Sequence, residues 1–188
     1  MDSLLKIIDG YLPRSSSVIE LGCGDGTLIN AIAARKAPLK RLVAVDFFNA
    51  PSTLALGVEF IKHDLEQFSL KGPFDLVILN QVFEHMKDPL GLIERIKKEL
   101  APNGKILIAV PNRRGFGNSA RVYMPEHGKH YFLWDSESLE YSLNRLGLVC
   151  RFYNLYSAGM NHPLLRYIPM LLRLQNPNLI CLAMKDVA

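Results

Sequence analysis

Residues 18–28 read Val18-Ile19-Glu20-Leu21-Gly22-Cys23-Gly24-Asp25-Gly26-Thr27-Leu28, an apolar strand that passes through a glycine-rich turn into an amphipathic helix. No other stretch restricts the fold as strongly. Glycines at alternate positions leave no Cβ between backbone and ligand, and they allow positive φ where the chain reverses from strand to helix. A dinucleotide fingerprint would place its third glycine at position 27, where this chain has Thr27. Glu20 stands just before the turn, so a pyrophosphate would meet an uncompensated carboxylate, whereas a ligand carrying an ammonium group would be attracted. The turn therefore predicts a small-molecule site for a cationic ligand rather than a dinucleotide.

At 188 residues the chain predicts one domain, 1–188, since this length suffices for one buried core and is short for two. Hydrophobic residues make up 49% and charged residues 21%, a globular balance without repeat or low-complexity tract. No apolar run approaches the roughly 20 residues of a membrane span, and residues 1–10 carry no cationic leader, which predicts a cytoplasmic location. Cys23, Cys150 and Cys181 are far apart and form no C-x-x-C pair, so neither zinc nor a disulfide framework is expected. A formal charge of +4 is spread over scattered Lys and Arg, a solvated-face pattern that argues against nucleic acid as a partner.

Leu4, Leu5, Ile7, Ile8 and Leu12 recur at helical spacing, and Leu28, Ile29, Ile32 and Ala33 mark a second helix closing near Pro38, its N-terminus toward the ligand. Residues 41–46 form a second buried strand ending in Asp46, twenty residues after Gly26, where a Rossmann-type fold hydrogen-bonds ribose hydroxyls. Only residues 47–57 precede the next strand, Val58-Glu59-Phe60-Ile61-Lys62, so any crossover helix is cut to a turn or two. Residues 74–80 are apolar enough for the sheet centre, and their carboxyl end, positions 80–85, is the expected reaction edge. Asp88 caps and Pro89 opens a helix over 89–100, and a turn at 101–104 leads to a strand over 105–110. Residues 111–130 are read as a substrate lid, Asp135 as the cap of a helix through Leu146, and residues 148–155 and 178–184 as the last two strands. A proline-interrupted helical insertion over 161–175 carries more apolar residues than one stripe needs; core packing is favoured over membrane contact, because Arg166 and Arg173 alone supply basic charge.

The pattern E-x-G-x-G-x-G over 20–26 resembles the first motif of the Rossmann-like class I S-adenosylmethionine-dependent methyltransferases. The run from Asn80 to Pro89, and Leu-x-Pro-x-Gly at 100–104, resemble the corresponding segments of the ubiquinone-biosynthesis type. The resemblance is strongest from Val18 to Val110 and only topological beyond. It implies an α/β fold, a doubly wound, seven-stranded, mostly parallel sheet with an antiparallel last strand and helices on both faces. It implies S-adenosyl-L-methionine as cofactor, with Glu20, Gly22, Cys23, Gly24 and Gly26 in the turn. Asp46 would then bind its ribose and Phe47 its adenine, with Asp64 and Leu65 near the adenine and Asn80 and Gln81 at the end of the central strand.

Methyl transfer from a sulfonium needs alignment more than catalysis, but an oxygen or nitrogen acceptor often has to lose a proton, which suits a histidine. His85 and His130 are the candidates. Relatives of the ubiquinone type can hold a divalent cation through acids around Glu84 and His85 and a further acid three positions before the glutamate. That position is Gln81, a weak ligand for a hard cation, so no metal is expected. The expected reaction is methylation of a small-molecule acceptor, most simply at oxygen. The alternatives are a non-catalytic, methyltransferase-like partner of another enzyme and a nucleic-acid methyltransferase; the latter is disfavoured because Gln81-Val82-Phe83 stands where such enzymes carry Pro-Pro-aromatic.

Overall fold

The computed structural model describes residues 2–12, 15–35, 38–115, 130–153 and 178–186. Seven strands lie in one sheet: β1 Ser17–Leu21, β2 Arg41–Asp46, β3 Glu59–Lys62, β4 Phe74–Asn80, β5 Leu100–Pro111, β6 Leu148–Tyr153 and β7 Asn178–Lys185. Their order is β3-β2-β1-β4-β5-β7-β6. Only β7 runs against its neighbours, β5 and β6. This is the doubly wound arrangement expected from the sequence, and its order reverses direction between β1 and β4.

Both faces are covered, which is why the central strands read as continuous apolar runs. On one face, Leu4, Leu5 and Ile8 of α1 (Asp2–Asp9) and Leu28, Ile29 and Ile32 of α2 (Thr27–Ala33) pack on Val18, Ala44, Ile78 and Leu107. On the other, Leu92, Ile93 and Ile96 of α3 (Pro89–Lys98) and Leu139 and Leu143 of α4 (Ser136–Asn144) pack on Ile19, Val45, Val77 and Ile106. Alternate residues of one strand thus serve opposite cores, as the two-residue period of a strand requires. Each fully buried aliphatic side chain contributes about 1.5–3 kcal/mol by removal from water.

The local signals hold with defined partners. Asp88 Oδ1 accepts the Gly91 N–H at 2.9 Å, with Pro89 opening α3. A Cβ at Gly91 would stand 1.9 Å from Asp88 Oδ2, so the cap requires glycine there. Asp135 and Ser138 form a reciprocal capping box on α4.

Several boundaries differ from the sequence reading, among them helix ends at Lys98 and Asn144 instead of 100 and 146 and a β3 that starts at Glu59 instead of Val58. The second helix ends at Ala33 instead of near Pro38, and Arg35 beyond it pairs with Asp9 of α1. The turn foreseen at 101–104 lies inside β5 as an irregularity, because pairing jumps from Phe74–Leu100 to Leu76–Lys105. Gly104 permits it, since a Cβ would meet the Phe74 carbonyl oxygen at 2.7 Å. The β2–β3 connection, where the sequence leaves room for a helical turn or two at most, has turns and no helix. Asn30 of α2 fastens it instead, donating to the Thr53 carbonyl at 2.9 Å and accepting the Ala55 N–H at 2.7 Å.

The β3–β4 connection also lacks a helix, and on that face a cavity of about 490 Å³ lies among Ile61, Phe68 and Phe74 under Arg41 and Glu59. Among the described residues no helix is long and apolar enough to cross a membrane. Of the expected lid, positions 111–115 and 130 are described and 116–129 are not; the expected insertion over 161–175 lies wholly outside the described residues.

Candidate active site

The glycine turn is held by backbone. Gly22 and Cys23 donate to the Val45 carbonyl at 2.7 and 3.1 Å, Gly24 donates to Asp46 Oδ2 at 2.8 Å, and Gly26 donates to the Cys23 carbonyl at 2.9 Å. Gly22, Gly24 and Gly26 have φ of 75, 54 and 77°, the left-handed region where a side chain costs roughly 1–2 kcal/mol. Two of them also answer to packing. A Cβ at Gly22 would lie 2.4 Å from Val82 Cγ2, and one at Gly26 would touch Leu54 at 3.3 Å. Nothing stands within 4 Å of a Cβ built on Gly24, so there the turn opens to solvent.

Carboxylates surround this opening. Glu20 is 2% exposed, and among the described residues its Oε2 has no hydrogen-bond partner. Burial pushes its carboxyl up to about 8, the Ile29 N–H acts the other way, and the charges of Asp25 and Asp46 raise it further. The Cys23 thiol is pushed up to about 12, again by burial first and then by Asp46 and Glu20. The surroundings disfavour negative charge and favour a cation.

Asp46 is buried and tied at both oxygens, to Gly24 N–H through Oδ2 and to Phe48 N–H through Oδ1 at 3.1 Å. Each oxygen retains a second lone pair. Phe47 beside it is 63% exposed and meets Phe48 edge-on, with centroids 5.7 Å apart. Asp64 and Leu65 lie in the turn after β3. Asp64 Oδ1 accepts the Glu66 N–H at 3.0 Å, and Leu65 packs against the core while its carbonyl accepts from Arg95 of α3.

Across the opening, β4 ends at half-buried Asn80. Gln81 takes φ 56°, uncommon for a residue with a side chain, and its N–H donates to the Ala109 carbonyl at 2.7 Å. This reversal lays Val82 over Gly22 and starts a 3-10 turn over Phe83–His85. Phe83 is fully buried and stacks on Trp134 at 5.2 Å, and Trp134 stacks on Phe132 at 5.4 Å. The Glu84 carbonyl accepts the Tyr131 N–H at 2.8 Å. The two histidines proposed separately from the sequence are thereby brought together: the His85 and His130 rings meet edge-to-face, 4.6 Å between centroids. Glu84 beside them is 1% exposed, and burial pushes its carboxyl up to about 7.

Sequence reasoning missed Val82, which explains why position 22 is glycine, and the Phe83–Trp134–Phe132 stack. The run His130-Tyr131-Phe132-Leu133-Trp134 directly before the capping Asp135 was the available signal. Beyond the stack, Arg113 and Arg114 reach Asp135 at 2.8 and 3.1 Å and anchor the end of β5 to α4.

A sheet of this order, with a glycine turn and an acid at the ends of β1 and β2, defines the class I methyltransferase architecture. The description of a methyltransferase domain matches residues 1–151, and the chain belongs to this family of S-adenosylmethionine-dependent methyltransferases. It is similar to the malonyl-[acyl-carrier protein] O-methyltransferase of Calditerrivibrio nitroreducens, 33% identical over 87 residues, covering 46% of this chain and 35% of that protein. It is also similar to the ubiquinone biosynthesis O-methyltransferase of Pseudomonas aeruginosa, 28% identical over 106 residues, covering 51% of this chain and 44% of that protein. The chain thus matches less than half the length of these curated relatives. Among solved structures, an S-adenosylmethionine-dependent methyltransferase from Archaeoglobus fulgidus superposes with a TM-score of 0.71 at 17% identity, over 97% of this chain and 92% of that one, a likeness of fold.

Proposed function

We propose that this chain binds S-adenosylmethionine between the glycine turn and the carboxyl end of β4, and transfers its methyl group to an oxygen of a small-molecule acceptor. The observation that carries the reading is the open turn at Gly24 set among Glu20, Asp25 and Asp46. These groups suit an ammonium and a sulfonium and repel a pyrophosphate. Both curated relatives are named O-methyltransferases, which supports oxygen as the acceptor atom.

The cofactor supplies an activated methyl group, so the protein's task is orientation. Glu20 meets the amino-acid end of the ligand and Asp46 the ribose, through lone pairs its backbone bonds leave unused. Exposed Phe47 packs on the adenine, with Asp64 and Leu65 on the same side, and the Asn80–Gln81 reversal forms the facing wall. His85 and His130 stand beyond that wall as the groups able to take the acceptor's proton.

Calorimetry with S-adenosylhomocysteine and with NAD tests the cofactor reading; saturable binding of the former alone is expected, and competition by NAD overturns it. Release of S-adenosylhomocysteine in the presence of hydroxylated small molecules tests the transfer. Binding without turnover on any acceptor would favour the alternative of a non-catalytic partner.

A further inference from the structure

We propose that the cavity lined by Ile19, Ile61, Phe68 and Phe74 is a second small-molecule site, which takes an aromatic carboxylate bearing a single negative charge. A parallel crossover ordinarily lays a helix over the sheet, and the β3–β4 connection has none. Phe68 and Leu70 of that connection are buried, but they leave a cavity of about 490 Å³, within the roughly 300–1,000 Å³ of small-molecule sites. Arg41, Glu59 and Phe74 are the first residues of β2, β3 and β4, so the cavity begins at the amino ends of parallel strands. The glycine turn, Asp46 and Asn80 stand at the carboxyl ends, which sets this cavity apart from the proposed reaction edge.

The lining sets both the charge and the shape of the ligand. Arg41 donates from Nε and Nη2 to the two carboxylate oxygens of Glu59 at 3.0 and 3.1 Å, and from Nη1 to the Lys71 carbonyl at 3.0 Å. Glu59 thus cancels its charge, and the pair fastens residue 71 to the sheet. Lys71 keeps an exposed ammonium with no ion pair among the described residues, and the Gln67 and Ser69 side chains on the same stretch have no hydrogen bond there either. One free cation and two neutral donors match one carboxylate; a phosphate dianion would leave a charge uncompensated, and an amine would be repelled. Rings dominate the rest. The Arg41 guanidinium lies 5.3 Å from the Phe74 centroid, and the His63 ring stands 5.4 Å from that of Phe68. A flat aromatic group joins such a set at the centroid separations of about 4.5–7 Å that ring pairs prefer, while Ile19 and Ile61 take it out of water. The site does not rest on the methyl-transfer reading.

The test is calorimetry on the whole chain with naphthoate as the probe and naphthylmethylammonium as its cationic counterpart. One saturable naphthoate per chain is expected, with the ammonium bound about tenfold more weakly or not at all. Lys71→Glu should weaken naphthoate about fivefold or more by reversing the charge of the free cation, and Ser69→Trp about tenfold or more by filling the space, with the circular dichroism spectrum unchanged. Both positions are exposed, so neither variant alters the core. No saturable naphthoate binding, equal binding of the two probes, or binding unaltered in both variants overturns the proposal. S-adenosylhomocysteine calorimetry on the same samples separates the two readings. Loss of naphthoate with S-adenosylhomocysteine binding retained in Lys71→Glu supports a separate site, and competitive displacement of naphthoate by S-adenosylhomocysteine overturns it. Naphthoate bound by a chain that does not bind S-adenosylhomocysteine refutes the cofactor reading and leaves this site standing.

Discussion

The bank of the site formed by β1, β2 and the glycine turn is made of backbone, whereas the bank formed by the ends of β4 and β5 and residues 130–135 is made of side chains. On the first, main-chain donors of Gly22, Cys23, Gly24 and Gly26 are spent on Val45, Asp46 and Cys23, and the shape follows from glycine dihedrals. On the second, shape follows from a three-ring stack and a histidine pair drawn from segments 45 residues apart. A backbone-built bank has room for added atoms only where it opens, at Gly24, and not at Gly22, whereas a side-chain-built one can be retuned residue by residue. On the proposed reading, cofactor recognition falls to the first and acceptor specificity to the second.

The largest effect should come from adding one carbon to the first bank. Gly22→Ala meets both the left-handed φ and Val82 Cγ2 at 2.4 Å, whereas Gly24→Ala meets only its φ of 54° in open space. Strain of roughly 1–2 kcal/mol is common to both, and overpacking adds about 1–3 kcal/mol at position 22 alone. Urea unfolding should rank Gly22→Ala well below Gly24→Ala. Equal losses would mean that Val82 yields freely and that the two banks are not coupled through this contact.

This difference also governs what was legible in the sequence. The turn, Asp46 and the strand ends are local patterns, each read within about a dozen residues, and β2 and β4 fall at the bounds expected from their apolar runs. Asp88 and Asp135 announced their helices because a cap needs only its own first turn. His85 and His130 were both singled out, but their meeting depends on a bond from Tyr131 to Glu84 that no local pattern encodes. Residues 101–104 are turn formers and predict a turn, but pairing with β4 on either side carries the strand through them as an irregularity.

Next in size is the pH dependence carried by Glu20. In the folded chain its carboxyl titrates near 8 against an ordinary 4.5. The unfolded chain therefore ionises it first, and the folded state loses stability as pH rises from about 4.5 to about 8, with no further loss above. At about 1.4 kcal/mol per unit the full span is an upper bound of several kcal/mol, and a realised loss of about 2 kcal/mol is expected. Glu20→Gln should reduce that slope in urea titrations between about pH 5 and pH 8.5, leaving the part below about pH 7 that buried Glu84 contributes. Binding of S-adenosylhomocysteine should show the opposite trend, tightening as Glu20 ionises opposite the ligand's ammonium. An unchanged slope in Glu20→Gln would move the titrating group elsewhere; a pH-independent affinity would take the ammonium away from Glu20.

The smallest effects distinguish two aspartates that the sequence placed on the same bank. Asp46 bridges Gly24 and Phe48 from a buried position, so Asp46→Ala removes the brace of the turn and, on the proposed reading, a ribose acceptor. It should weaken S-adenosylhomocysteine by about 1–3 kcal/mol, the range for hydrogen bonds to a charged group. Asp64 is half-buried and bonds the Glu66 N–H two residues on, a turn that the Arg95 contacts to the Leu65 and Glu66 carbonyls also hold. The turn should therefore survive its loss, and on the proposed reading Asp64→Ala would remove one bond from the adenine edge, about 0.5–1.5 kcal/mol. Asp64→Asn should recover part of it, since the amide keeps an acceptor oxygen. Calorimetry that finds Asp64→Ala binding like the unaltered chain, with only its urea midpoint shifted, would reduce Asp64 to a turn residue. The adenine would then be left to Phe47 and Leu65, and the bank would end at Asp46.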